Sequence, residues 1–508
     1  SGSGQSFDFD ANGGLYNDFS LTDTDTPNDQ TLIPGLYSVS ETVPAGWELT
    51  SATCVSSIAD TETPGNLELD AAETITCTFT NTQQAKIIVE KTCEPADDPQ
   101  EFSFVPSWTD GFDLPCGGSE ESGFLSPGSG YSVSETVPDG WALDSATCDN
   151  ADDPSDITLD PGETVTCTFH NIKNGKIIIE KQTIPDGATQ SFTFTGDVAG
   201  SLSDGQTAME EVAPGNYSST ETVPDDWTLK GIVCDDDDSS GTDETANFVV
   251  AAGEEVKCTF TNIKNPFITI EADDTNEVND DHTFTIFVGQ DGGGGPEGIA
   301  GVEVTVTFSP SDPGTITGNP CTTDVNGECE VTINSSVAGV FTATASATVD
   351  IMGVQFPIST DDTGENSGPA TKTYVDAKIN ITPQEAANAV NDPHEITAAV
   401  MVNDGGGFDP APDGTTVTFS LQNSNGATAS FVGGVNTCMT TGGSCSVSIN
   451  SPTPGDVEID ASVDVTVGGV LLTRATDGNA GPGGSDSAEK VYVDARISIA
   501  ADDTNEVG

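Results

Sequence analysis

The chain has 508 residues, in which 83 aspartates and glutamates face 13 lysines and arginines, for a formal net charge of −70. That charge repels nucleic acid and anionic membranes, and no stretch reaches the roughly 18 consecutive apolar residues of a membrane-spanning helix. Neither a nucleic-acid partner nor membrane insertion of this segment is therefore expected.

An acidic surface of this kind stays soluble at high salt and attracts divalent cations, which suits seawater or brine better than cytosol. Acidic, Gly-rich chains can also be disordered. Here, regular alternating runs and recurring aromatics argue for packed domains, with disorder confined to the Gly-rich loops.

Taken in chain order, the elements repeat. "YSVSETVPAGW" from Tyr37 returns as "YSVSETVPDGW" from Tyr131 and as "YSSTETVPDDW" from Tyr217. "AKIIVEK" from Ala85 and "GKIIIEK" from Gly175 open two copies, and "ITCTFTN", "VTCTFHN" and "VKCTFTN" close three, at Ile75, Val165 and Val256. Short alternating runs between Gly, Pro, Asn and Asp turns predict antiparallel β-sandwiches. The one helix-like stretch, "PQEAANAV" from Pro383, is too short to change that class.

The style changes near Asn265. "FITIEADDTNEVNDDHTFTIFV" from Phe267 is echoed by "INITPQEAANAVNDPHEITAAV" from Ile379, and "YVDAKINI" from Tyr374 by "YVDARISI" from Tyr492. These read as two longer immunoglobulin-like units. The expected division is 1–84, 85–174 and 175–265 for the smaller sandwiches, 266–377 and 378–494 for the longer ones, and 495–508 as the start of another. The fold class is all-β, a tandem array of about five antiparallel β-sandwiches.

Both ends fall inside a unit. The opening "GSGQSFDFD" aligns with "GATQSFTFT" at Gly187, so the first unit is expected to lack the strand that "KIIIEK" gives the third. Two explanations are a window on a longer array, which is favoured, and a strand donated by a neighbouring copy.

The cysteines form recurrent local pairs: Cys54 with Cys77, Cys148 with Cys167, and Cys234 with Cys258. Cys93 and Cys116 occur only in the second unit, and Cys321 with Cys329 and Cys438 with Cys445 flank short turns. An even set in small sandwiches predicts disulfides and an extracellular location. Zinc would need clustered Cys/His spacings, which are absent.

Side chains on a strand alternate faces, so parity tells which residues share the core. In the second unit Ile87, Val89 and Lys91 share a face, as do Tyr131, Val133 and Glu135, and as do Val165, Cys167, Phe169 and Asn171. The third repeats the pattern with Lys181, Glu221 and Asn262. A lysine, a glutamate and an asparagine are thus aimed inward twice, although burying a charge costs several kcal/mol unless it is paired or neutralised.

On these residues the first half resembles the prealbumin-like B-type repeats of Gram-positive pilins and collagen-binding adhesins. The resemblance implies an intramolecular isopeptide bond, with Lys91 as nucleophile to Asn171 and Glu135 as proton shuttle, and with Lys181, Asn262 and Glu221 as the matching set. The first unit keeps Glu41 and Asn81 without a lysine of its own. Tryptophans at 47, 141 and 227 replace the family's usual tyrosine, and a cysteine stands two residues before each closing phenylalanine. A disulfide could therefore be the brace instead, with Lys and Glu as an ion pair and Asn as a turn cap. The second half resembles the tandem domains of invasin-type surface proteins.

No cofactor is expected. Structural calcium is the one ion the acidic loops suggest, at Asp235, Asp236 and Asp238 and at the joint residues Asp273, Asp274 and Glu277. Solvated acidic loops are the plainer reading. His282 and His394 hold equivalent places before a strand and read as repeat-family side chains, Trp47, Trp141 and Trp227 read as core rather than a sugar platform, and sequons at Asn216, Asn334 and Asn380 occur commonly by chance.

No nucleophile, base and orienter set appears, so no enzyme is expected. The expected role is a structural rod in an extracellular filament or stalk, whose partners are other copies of itself or neighbouring domains of a longer chain. The alternative is the stalk of a giant adhesin that meets a surface ligand or other cells through a domain outside this stretch.

Overall fold

A computed structural model describes residues 4–478 and 483–500; of the further unit expected at 495–508, residues 501–508 lie outside the described residues. Among the described residues the regular structure is strand, apart from one 3-10 turn at Val432–Gly434. No described helix is long and apolar enough to cross a membrane. The helix-like stretch after Pro383 is extended, with Glu385–Ala389 pairing in parallel with Ala488–Val493. So short a segment cannot offset the cost of nucleating a helix, whereas a strand edge satisfies its backbone at once.

The chain folds as two compact units, one of residues 1–181, 192–222 and 231–260, the other of residues 182–191, 223–230 and 261–508. In the first unit, the opening sandwich has a four-stranded sheet in the order Phe19–Thr22, Ser6–Asn12, Gly35–Thr42, Leu67–Leu69, and a pair formed by Trp47–Ser56 with Ile75–Gln83. Phe7, Phe9, Tyr37, Val39 and Leu67 form its core.

The next sandwich carries a sheet in the order Ser119–Glu121, Lys86–Glu94, Thr164–Lys173, Trp141–Cys148. Its two central strands are parallel, in a register that sets Phe169 against Lys91 and Asn171 against Cys93. Parallel neighbours need a crossover, and here the rest of the sandwich supplies it. The opposite layer includes Val133–Thr136, Glu101–Pro106 and Phe112–Pro115. After it, Gly175–Ile184 pairs with Thr207–Val212, and Gly215–Thr222 lies within a five-stranded sheet.

In the second unit, one core is built around Ile286, Val304, Val331 and Ala343 and another around Ile379, Val400, Phe419 and Ile459. One strand, Ala370–Thr382, serves both: Ala370 to Tyr374 pair with Gly339–Ile351, and Asp376 to Thr382 with His394–Asn403. The division expected between 377 and 378 thus falls inside a continuous strand rather than in a linker. The alternation of Ala377, Ile379 and Ile381 with polar neighbours keeps the chain extended through that point.

Candidate functional site

The parallel register places Lys91 and Asn171 on one inward face, because Lys91 and Cys93 share parity on one strand and Phe169 and Asn171 on its neighbour. Lys91 is 1% exposed and Asn171 is fully buried. The Lys91 Nζ donates to Asn171 Oδ1 at 2.9 Å, to the Thr92 carbonyl at 2.7 Å and to the Phe169 carbonyl at 3.2 Å. It also lies 3.5 Å from Glu135 Oε1, with both side chains wholly buried, and 4.2 Å from the centre of the Phe102 ring.

Burial pushes the Lys91 amine below the usual lysine range, a shift the Glu135 carboxylate opposes in part. Burial pushes the Glu135 carboxyl up, against the pull of Lys91 and Asn171. Both groups lean toward their neutral forms, an amine with a free lone pair and a carboxylic acid with a proton to give. The Glu135 oxygens and Asn171 Nδ2 are buried without a hydrogen bond of ordinary geometry. A fully satisfied ion-pair network would not leave them so.

Lys181 repeats the pattern. It is fully buried, 3.5 Å from Glu221 Oε1 and 4.1 Å from the centre of the Phe192 ring, and it donates to the Phe260 carbonyl at 3.3 Å. Burial lowers its amine to about 8, again opposed by Glu221. Asn262 is fully buried on Glu255–Lys264. In the opening sandwich Asn81 Nδ2 donates to Glu41 Oε1 at 2.6 Å, and burial raises the Glu41 carboxyl.

The structure closes six disulfides, Cys54–Cys77, Cys93–Cys116, Cys148–Cys167, Cys234–Cys258, Cys321–Cys329 and Cys438–Cys445, and no described cysteine is free. Cys148 and Cys167 are directly opposite each other on paired strands, as are Cys54 and Cys77. A disulfide and the buried lysine therefore sit in one sheet without competing for a place. Trp141 and Trp227 are core residues, and Trp47 is half-buried.

Asp236 and Asp238 lie within ligating distance of each other and of Glu254, a residue the sequence did not single out, while Asp235 accepts from the Lys257 amide at 2.7 Å. At the joint, Asp273 accepts from the Thr371 amide at 2.6 Å, Asp274 pairs with Lys372 at 2.6 Å and Glu277 pairs with Arg474 at 2.7 Å. The Lys372 ammonium beside Asp274 holds its carboxyl below the ordinary carboxylate range.

Sequence reasoning missed several buried cations of the second unit, Lys372, Lys490 and Arg474 among them. Lys372 and Lys490 stand two residues before Tyr374 and Tyr492, share their inward parity, and meet Asp274 and Asn388. His282 and His394, taken as repeat-family side chains, are drawn toward neutrality by burial and by these lysines. Arg474, 1% exposed, donates to the Ala377 carbonyl at 2.6 Å and pairs with Asp376 at 2.8 Å and with Glu277. The repeated Lys-x-Tyr spacing was a usable signal for the lysines, whereas nothing local marks Arg474.

Residues 1–83, 116–173 and 177–264 match the family model of the prealbumin-like fold domain, so these three stretches are prealbumin-like. Among solved structures, the chain is similar to the D0-D1 domain of intimin at 21% identity, covering 44% of this chain and 96% of that one with a TM-score of 0.15. It is similar to BcpA, the major pilin subunit of Bacillus cereus, at 14% identity, covering 63% and 99% with a TM-score of 0.26. For the major pilin protein of Streptococcus pyogenes the identity is 14%, the coverage 36% and 98%, and the TM-score 0.17. No curated protein matches.

Proposed function

We propose that this chain is a structural segment of an extracellular surface filament or stalk whose prealbumin-like sandwiches are braced by isopeptide bonds, Lys91 to Asn171 and Lys181 to Asn262. The carrying observation is the wholly buried contact of Lys91, Glu135 and Asn171, in which amine and carboxyl both lean neutral. The neutral amine adds to the Asn171 side-chain carbonyl carbon, Glu135 moves a proton from the amine to the leaving amide nitrogen, and one ammonia departs. The reaction runs once per bond, so it is maturation and not turnover.

With Cys93–Cys116, Cys148–Cys167 and Cys234–Cys258 closing in the same sandwiches, such bonds leave little chain to extend under load, which suits a rod that resists pulling and proteolysis. The test is the intact mass of the reduced chain. Two ammonias below the sequence mass is the expected result, and the full sequence mass refutes the braced reading.

A further inference from the structure

The two longer sandwiches of the second unit close in the same way. In the first, Asp274–Glu277 lies parallel to Ala370–Thr382, the strand by which the chain leaves the sandwich; in the second, Glu385–Ala389 lies parallel to Ala488–Val493. One more backbone bond extends each pair, from the Val278 amide to the Val375 carbonyl and from the Val390 amide to the Val493 carbonyl, both at 3.0 Å. The opening segments have only four and five residues, so few backbone bonds hold them.

The parallel sense decides how tension acts. A pull along the chain draws the opening segment toward the N-terminus and the closing strand toward the C-terminus. On parallel strands this slides one along the other and loads every bond between them together, whereas a hairpin pulled at its open end gives way one bond at a time.

In both sandwiches a lysine of the closing strand crosses this sliding boundary. Lys372, fully buried, stands directly opposite Asp274, and its Nζ donates to Asp274 Oδ2 at 2.6 Å. Lys490, 1% exposed, stands opposite Ala386, which has no side-chain oxygen, and reaches two residues on to donate to Asn388 Oδ1 at 2.5 Å. Asn388 Nδ2 donates in turn to Asp392 Oδ2 at 3.1 Å, which keeps Oδ1 turned to the amine. The hydroxyls of Tyr374 and Tyr492 donate to the Ile333 and Ile449 carbonyls at 2.9 and 3.0 Å, anchoring each closing strand to the opposite layer. Burying an ammonium costs several kcal/mol unless it is paired. The two sandwiches nevertheless keep the lysine and its crossing while the partner changes from a carboxylate to an amide.

We infer that Lys372 and Lys490 are load-bearing clasps, reversible side-chain bonds that fasten the opening segment of each longer sandwich to its closing strand against a pull along the chain. Their use rests on the reading of the chain as a stalk under load, but the clasps need none of the amide bonds proposed above.

The test holds the full chain, disulfides intact, by its two ends at constant force and reads the lifetime of each sandwich. Lys372→Met and Lys490→Met keep an apolar stem and remove the donor; each shortens the lifetime of one sandwich, a different one in each variant, by about 10-fold or more. Thr476→Val removes the buried acceptor of the Ala461 amide, away from the parallel pair, so it lowers stability in urea and leaves the lifetimes at their wild-type values. Asn388→Ala reads the second clasp from its half-buried side and gives the same shortening if Lys490→Met does not fold. Lifetimes that are unchanged in the lysine variants, or shortened no more than by Thr476→Val, overturn the inference. A third ammonia missing from the reduced wild-type chain, mapped to Asn388, overturns the reversible clasp as well. A wild-type chain of full sequence mass whose lysine variants still lose lifetime upholds the clasps and refutes the amide brace alone.

Discussion

Replacing Lys91 by Met together with Glu135 by Leu separates a covalent brace from an ion pair by the sign of its effect. If the two are only a buried pair, apolar residues of similar volume leave stability unchanged or raise it by about 1–4 kcal/mol. If Lys91 is bonded to Asn171, the substitution removes a crosslink between residues 80 apart in sequence. Chain entropy gives such a loop about 4.5 kcal/mol. Cys93–Cys116 and Cys148–Cys167 lie inside it and shorten its free length to about half, which lowers the figure only to about 4 kcal/mol because the dependence is logarithmic. For a domain of this size that is a fall of roughly 20–30 °C in the transition of the second sandwich. Differential scanning calorimetry of the full chain with disulfides intact reads it directly. An unchanged or raised transition refutes the crosslink.

Three further outcomes follow from the same geometry. Glu135→Gln removes the proton carrier and keeps the shape, so the chain gains the mass of one ammonia when freshly made and loses it about 10²- to 10⁴-fold more slowly than wild type; equal rates by timed mass spectrometry exclude Glu135 from the reaction. In Asn262→Ala, Lys181 keeps a titratable amine beside Glu221, and the folded pKa of that amine, about 8, lies below the ordinary 10.5. The unfolded state then binds more protons between those values, so stability rises with pH across that window and is flat below it. Wild type, with the nitrogen in an amide, shows no such rise in urea titrations, and a matching slope in both proteins contradicts the bond. Arg474→Ala strands Glu277 and Asp376 beside a buried site and costs the second unit about 3–5 kcal/mol by denaturant unfolding; a loss under about 1 kcal/mol shows that the carboxylates are solvated there.

The sequence alone was enough for the fold class and for the inward aim of Lys91, Glu135 and Asn171, because strand parity is a local property with period two and burial follows it strand by strand. It was enough for the repeated motifs. It said nothing of distance: that Lys91 reaches both Glu135 and Asn171 depends on a parallel register between strands about a whole sandwich apart, which no local pattern encodes. The joint residues Asp274 and Glu277 read as metal ligands because only carboxylates are visible in "ADDTNEV", while Lys372 and Arg474, which neutralise them, come from strands about a hundred and two hundred residues later. Tertiary structure decided these partners, because burial of a polar group depends on every strand that packs over it and not on the one that carries it.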